Sequence, residues 1–215
     1  MRGIKIIFSE DEIHTGDDLD LVQEEKKIEK PDIQSHTVAV PGRNGLLNLT
    51  KGLTGKVVYS NRKLSFKYFG TGKRDRLLEL DALFSRYHGQ TIQIVDDDYP
   101  DHFYEGEASV STEIFSNYIT ISLTVDAQPF RIKIFPTVVS RTISGSVTLY
   151  LENESVEAIP TITVTADTSI VFEGVKLSLS AGTYTVESFE LKRGVNVFTV
   201  SGTGTITVKY REGAI

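Results

Sequence analysis

The chain has 215 residues, a formal net charge of −6, a sequence isoelectric point near 5.3, and neither cysteine nor tryptophan. That length can bury roughly 70% of the surface its unfolded form exposes, enough for one or two cores. The acidic balance excludes a basic footprint for phosphate backbones, the missing thiols exclude disulfide and thiolate-metal scaffolds, and no apolar run reaches the ~20 residues of a membrane-spanning helix.

In chain order, "GIKIIF" (3–8) predicts a short strand, and the apolar run there is too brief for a signal peptide, so assembly in the cytosol is expected. Six carboxylates between Glu10 and Asp20 (Glu10, Asp11, Glu12, Asp17, Asp18 and Asp20) predict a solvated loop. "QEEKKIEK" (23–30) has helical propensity but no apolar face, and Pro31 stops it, so an extended segment is expected. Pro41-Gly42-Arg43-Asn44-Gly45 carries two successive turn signals, Pro-Gly and Asn-Gly. "GKVVYSNRKLSFKYF" (55–69) then reads as two strands joined at Ser60-Asn61, with Leu64, Phe66 and Tyr68 facing one way and Ser65 and Lys67 the other.

One helix is predicted over about 73–88. Leu77, Leu80, Phe84 and Tyr87 recur at spacings of 3, 4 and 3 on a core-facing stripe, with Leu83 beside them, and Gly89 stands where a left-handed cap would fall. "TIQIV", "FYEGEASV" and "YITISLTVD" follow as strands around the acidic turn "DDDYPD". Beyond Phe130 the texture changes. "SVTLYL", "TITVT", "SIVFEG", "KLSLS", "TYTV", "NVFTV" and "TITVKY" succeed one another with glycine-bearing turns such as Ser201-Gly202-Thr203-Gly204, which predicts an all-β sandwich beginning near Phe135-Pro136.

No motif carries chemistry well. Taking Asp96 as the first position of a calcium loop puts Asp98 third and Glu107 twelfth, but Pro100 and Asp101 occupy the fifth and the glycine-requiring sixth, so an acidic turn is the better reading. His88 and His102 have no companion at metal-ligand spacing. "FGTGKR" lacks the spacer and hydroxyl of a phosphate loop, and "SGTGT" lacks the third glycine and helix of a dinucleotide site. No catalytic, cofactor-binding or metal-ligating residue is assigned, and no cofactor is expected.

The order of these segments resembles the distal tail proteins of siphophages that infect Gram-positive bacteria. The matching stretches are Val40 to Asn48, then Tyr59, Asn61, Arg62, Leu64, Phe66 and Tyr68, the helix, "DDDYPDHFYEGEASV", "DAQPFR", "AIPTITVTADTSIVFEG" and the closing "GVNVFTVSGTGTITVKYREGAI". Asn44 stands where that family often has Asp, and "DAQPF" lacks a Cys some members carry. The resemblance implies a mainly β chain: a ring-forming N-terminal β-sandwich or split barrel with one helix (1–135) and a smaller galectin-like sandwich (136–215). It further implies a homo-hexameric ring at the virion tail tip, a baseplate hub joining the tail tube protein to the tail-associated lysin or fibre, with DNA passing through and neither enzymatic activity nor sequence-specific nucleic-acid binding. Six copies at −6 would carry −36, suited to a lumen that repels DNA phosphates. On this reading the Pro41–Thr50 stretch reaches a neighbouring copy. Two other readings stand beside it: a carbohydrate-binding module using Tyr150, Phe172, Tyr184, Phe189, Phe198 or Tyr210, and a hydrolase using Asp96, Asp98 or Glu105.

Overall fold

A computed structural model describes residues 2–42, 44–154 and 156–215, with every side chain in them but those of Lys51 and Thr54. The chain divides into two compact units, residues 1–131 with Ile215, and residues 132–214. The class is mainly β.

The first unit opens with β1 (Ile4–Phe8), β2 (Asp11–His14) and β3 (Val22–Ile28). Short strands β4 (Ile33–Gln34), β5 (Thr37–Ala39) and β6 (Leu46–Asn48), the six-residue helix α1 (Leu49–Thr54) and β7 (Val58–Tyr59) follow. Then come β8 (Arg62–Thr71), helix α2 (Arg74–Ser85), β9 (Thr91–Asp96), β10 (His102–Ile114) and β11 (Tyr118–Ala127). Seven strands form an antiparallel sheet in the order β2-β1-β9-β10-β11-β8-β3. The period-2 pattern sets the register: Phe66 faces Leu123 and Tyr68 faces Ile121, so one face of β8 and β11 is buried and apolar up to Arg62 at its end. Leu77, Leu80 and Phe84 of α2, with Tyr87 beyond it, bury into that face, each large side chain contributing about 1.5–3 kcal/mol. Gly89 ends the helical region at φ 71°, its N–H donating to the Ala108 carbonyl oxygen at 2.8 Å.

The sheet is curled. Strands β3 and β9 stand four places apart in its order, yet Lys26 Nζ of β3 lies 2.6 Å from Asp96 Oδ1 at the end of β9. The two flanks of the sheet therefore meet through side chains instead of backbone, a barrel left open along one seam.

Two expectations fail in this unit. The acidic stretch 10–20 is not all loop: Asp11–His14 pairs with β1, and Thr15 is fully buried with its Oγ1 accepting the Ile4 N–H. An edge strand with one solvent face tolerates the carboxylates that suggested a loop. The hairpin expected at Ser60-Asn61 is absent. β7 pairs with β4 and β8 with β3 and β11, because Ser60-Asn61 is where the chain crosses from one ribbon into the main sheet. Alternation identifies strands but not their partners.

The strand β12 (Arg131–Lys133) spans the division. The second unit continues with β13 (Thr137–Asn153), β14 (Thr161–Val164), β15 (Thr168–Phe172), β16 (Val175–Leu179), β17 (Gly182–Thr185), a 3-10 turn at Glu187–Phe189, β18 (Gly194–Tyr210) and β19 (Gly213–Ala214). Strands run β16-β15-β18-β14-β17, with β13 along the other edge of β18. β13 and β18 face each other over seventeen residue pairs, from Thr137–Tyr210 to Asn153–Gly194. Ser201–Gly204, expected as a turn, lies inside β18. On the opposite edge, β15 takes residues 199–202 of β18 and β14 takes 206–209, and the chain bends between them at Gly202 (φ 148°) and Gly204 (φ 100°). A Cβ on Gly202 would stand 2.7 Å from the Asp167 carbonyl oxygen, and one on Gly204 2.6 Å from Thr165 Oγ1. Glycine there marks a bend with close backbone approach. Phe172, Phe189 and Phe198 form an aromatic triad in the core, with ring centroids 4.6–5.7 Å apart.

Candidate functional site

Between β3 and β8 the chain leaves the main sheet as an arm. Ile33 and Gln34 pair with Tyr59 and Val58 at its base, and Thr37, Val38 and Ala39 pair with Asn48, Leu47 and Leu46 further out. The Pro-Gly and Asn-Gly signals turn the outer ribbon, with Gly42 at φ 82° and Gly45 at φ 78°. Arg43, the middle residue of that expected turn, lies outside the described residues. The Leu49 N–H donates to the His36 carbonyl oxygen (2.7 Å), the His36 N–H to Thr50 Oγ1 (2.9 Å), and the Ser60 N–H to the Asp32 carbonyl oxygen (2.8 Å). Tyr59 packs edge-on against Phe130, 5.5 Å between centroids, anchoring the base.

The arm therefore has internal backbone bonding but no core. None of its described residues from 32 to 60 is buried. Leu53 is 85% exposed, Leu46 63% and Ile33 60%, and Val38, Val40 and Val57 are exposed as well. Six large aliphatic side chains are thus held open on a hydrogen-bonded framework, which makes the arm the candidate interaction surface of this unit. The sequence pointed to the Pro41–Thr50 part of it; the flanking Ile33, Leu53 and Val57 carry no local signal.

The acidic candidates do not converge. Glu107 pairs with Thr91 at one end of the β9–β10 hairpin while Asp96 closes β9 at the other, five residues and about 17 Å away at ~3.4 Å per residue. Asp96 is 1% exposed, and its Oδ1 takes both Lys26 Nζ and the Asp98 N–H (3.2 Å), while Asp98 Oδ2 lies 2.5 Å from the same ammonium. That ammonium, by hydrogen bond and by charge, holds the Asp98 carboxyl below its usual range. Glu105 accepts from Gln93 Nε2 at 2.8 Å on the neighbouring strand. These groups are occupied in joining strands, Asp96 and Asp98 through one shared ammonium and Glu105 through Gln93.

The histidines are dispersed. His88 Nδ1 accepts the Val110 N–H at 3.1 Å. His14, which no spacing singled out, lies 3.1 Å from Asp97 Oδ1 through Nε2, and its Nδ1 accepts the Asp17 N–H at 2.9 Å. A pair 83 residues apart leaves no mark in sequence. Among the described residues no group of three or more acidic or histidine side chains is arranged to hold a metal ion, and no helix is long and apolar enough to cross a membrane.

In the second unit Phe172, Phe189, Phe198 and Tyr210 are core residues, leaving exposed Tyr150 and half-buried Tyr184 of the six aromatics considered for sugar stacking. Glu212 is buried at the open end of the long ladder. Its Oε1 accepts from Lys133 Nζ (3.0 Å) and Thr137 Oγ1 (2.7 Å), its Oε2 from the Glu154 N–H (3.1 Å), and its carbonyl oxygen from the Lys133 N–H (2.9 Å). Burial pushes its carboxyl up, but those bonds outweigh burial and hold it below the usual glutamate range.

No family model and no curated protein matches the sequence. A solved structure does: the SPP1 Dit protein, described as a paradigm of the hub adsorption apparatus in phages infecting Gram-positive bacteria, is 14% identical with a TM-score of 0.64, the match covering 99% of both chains. The two share a fold from end to end.

Proposed function

We propose that this chain is a structural component of a phage tail tip, a distal tail protein whose copies close a hexameric ring through the arm. The observation that carries the proposal is the arm itself: an ordered ribbon without a core, presenting aliphatic side chains that only another protein surface would cover. The fold shared with a hub protein over nearly all of both chains supports the setting. In that setting the ring joins the tail tube to the lysin or fibre, sits in the virion, and lets DNA pass without gripping it, as a chain of net charge −6 favours. No chemistry is required: of the carboxylates considered for hydrolysis, Asp96 and Asp98 serve the barrel seam and Glu105 accepts from Gln93.

Light scattering over a range of concentrations, followed by electron microscopy, tests this. The native chain is expected to approach six times its 23.9 kDa mass and to show rings. The Leu46→Asp, Leu53→Asp double variant is expected to remain monomeric with an unchanged thermal midpoint, because neither residue is part of a core. A native chain that stays monomeric at every concentration, or a variant that assembles normally, rejects the proposal.

A further inference from the structure

The first unit holds a cavity of about 250 Å³ whose charge runs against that of the chain. Lys26, Lys30, Arg62 and Arg131 line it together with Asp96, Asp98 and the final residue, Ile215, so that even with a terminal carboxylate counted the positive groups outnumber the negative, in a chain of net charge −6. Both aspartates are already engaged by Lys26. The two guanidiniums have no such partner.

Arg62 is 5% exposed, and among the described residues it forms no ion pair. Its Nε donates to the Glu29 carbonyl oxygen at 2.8 Å and its Nη1 to that of Pro129 at 3.3 Å, which position the group without neutralising it. Its guanidinium lies 5.1 Å from the centroid of Tyr104. Arg131 stacks on Tyr99 at 3.8 Å, also forms no ion pair among the described residues, and its buried Nε has no hydrogen-bond partner. Burial, with the nearby charge of Arg131, draws the Arg62 pKa down despite the opposing influence of Tyr104. Two like charges sharing a sheltered cavity, one with an unused donor, are costly unless something negative sits between them. A guanidinium fork matches the paired oxygens of a carboxylate or phosphate, and the two tyrosine rings already hold the forks' planes.

We infer that the cavity between Arg62 and Arg131 is an oxyanion-binding site, taking a phosphate or carboxylate group. It stands apart from the assembly role: the arm variants above leave it intact. Thermal midpoints and calorimetric titrations with inorganic phosphate and with succinate, each against chloride at equal ionic strength, test it. One or both ions are expected to raise the midpoint above the chloride control, and the stronger of the two identifies which oxyanion the cavity prefers. Arg131→Gln is expected to weaken that binding at least tenfold; if it fails to fold, Arg131→Lys, which keeps the charge and loses the fork, is held to the same criterion. Neither ion exceeding chloride, or a variant that binds as tightly as the native chain, overturns the site.

Discussion

Lys26 does the joining that the backbone does not. It bridges β3 to a carboxylate that is almost wholly buried, so replacing it leaves Asp96 uncompensated in a low-dielectric seam. Lys26→Met is expected to cost about 3–5 kcal/mol in urea unfolding, whereas Lys27→Met, whose ion pair with Glu29 is exposed, leaves the unfolding midpoint near the native one. Desolvation lowers the Lys26 pKa, but the bonds to Asp96 and Asp98 raise it further, leaving it above 10.5. A raised folded value means the bridge stabilises fully below pH 10.5 and is lost as pH climbs through the folded pKa, so the native chain weakens at the alkaline end and Lys26→Met does not share that limb. Glu212 has the opposite sign. Its depressed value gives stability that is present above the unfolded glutamate pKa near 4.5 and fades as pH falls through the folded one. Glu212→Gln should therefore flatten the acid limb of the unfolding curve, read by circular dichroism.

Elements with a strong period were legible in the sequence, and those defined by remote partners were not. The α2 stripe, Leu77 to Tyr87, and the alternation of β8 and β11 appear where expected because each is written in a dozen consecutive residues and each faces one core. The β4–β7 pairing was hidden, since two-residue strands carry no period and their partners lie some 25 residues away. Gly202 and Gly204 misled for a different reason: glycine signals a turn or a mid-strand bend alike, and only the neighbouring backbone decides. Gly202→Ala would drive a Cβ toward the Asp167 carbonyl oxygen at an unfavourable φ, and a loss of about 1–3 kcal/mol is expected in the second unit's unfolding, with the first unit's unfolding unchanged.

For the whole molecule, the sequence carried the mainly β class and the change of texture after Phe130. It held only part of the candidate surface. The turn signals at 41–45 were visible, but the absence of burial along residues 32–60 is a property of what fails to pack against them, which no local pattern records. The Arg62–Arg131 cavity was invisible for the same reason, its members being 69 positions apart and unremarkable singly. The long ladder of the second unit has a mechanical corollary. Its entry and exit lie side by side at Thr137 and Tyr210, so tension applied between them would peel the strands like a zip, one rung after another, instead of shearing all seventeen together. The Glu212 knot with Lys133 and Thr137 sits at the first rung. In single-molecule stretching, Glu212→Gln should tear at lower force, making that carboxylate the catch that keeps the loaded ladder from unravelling.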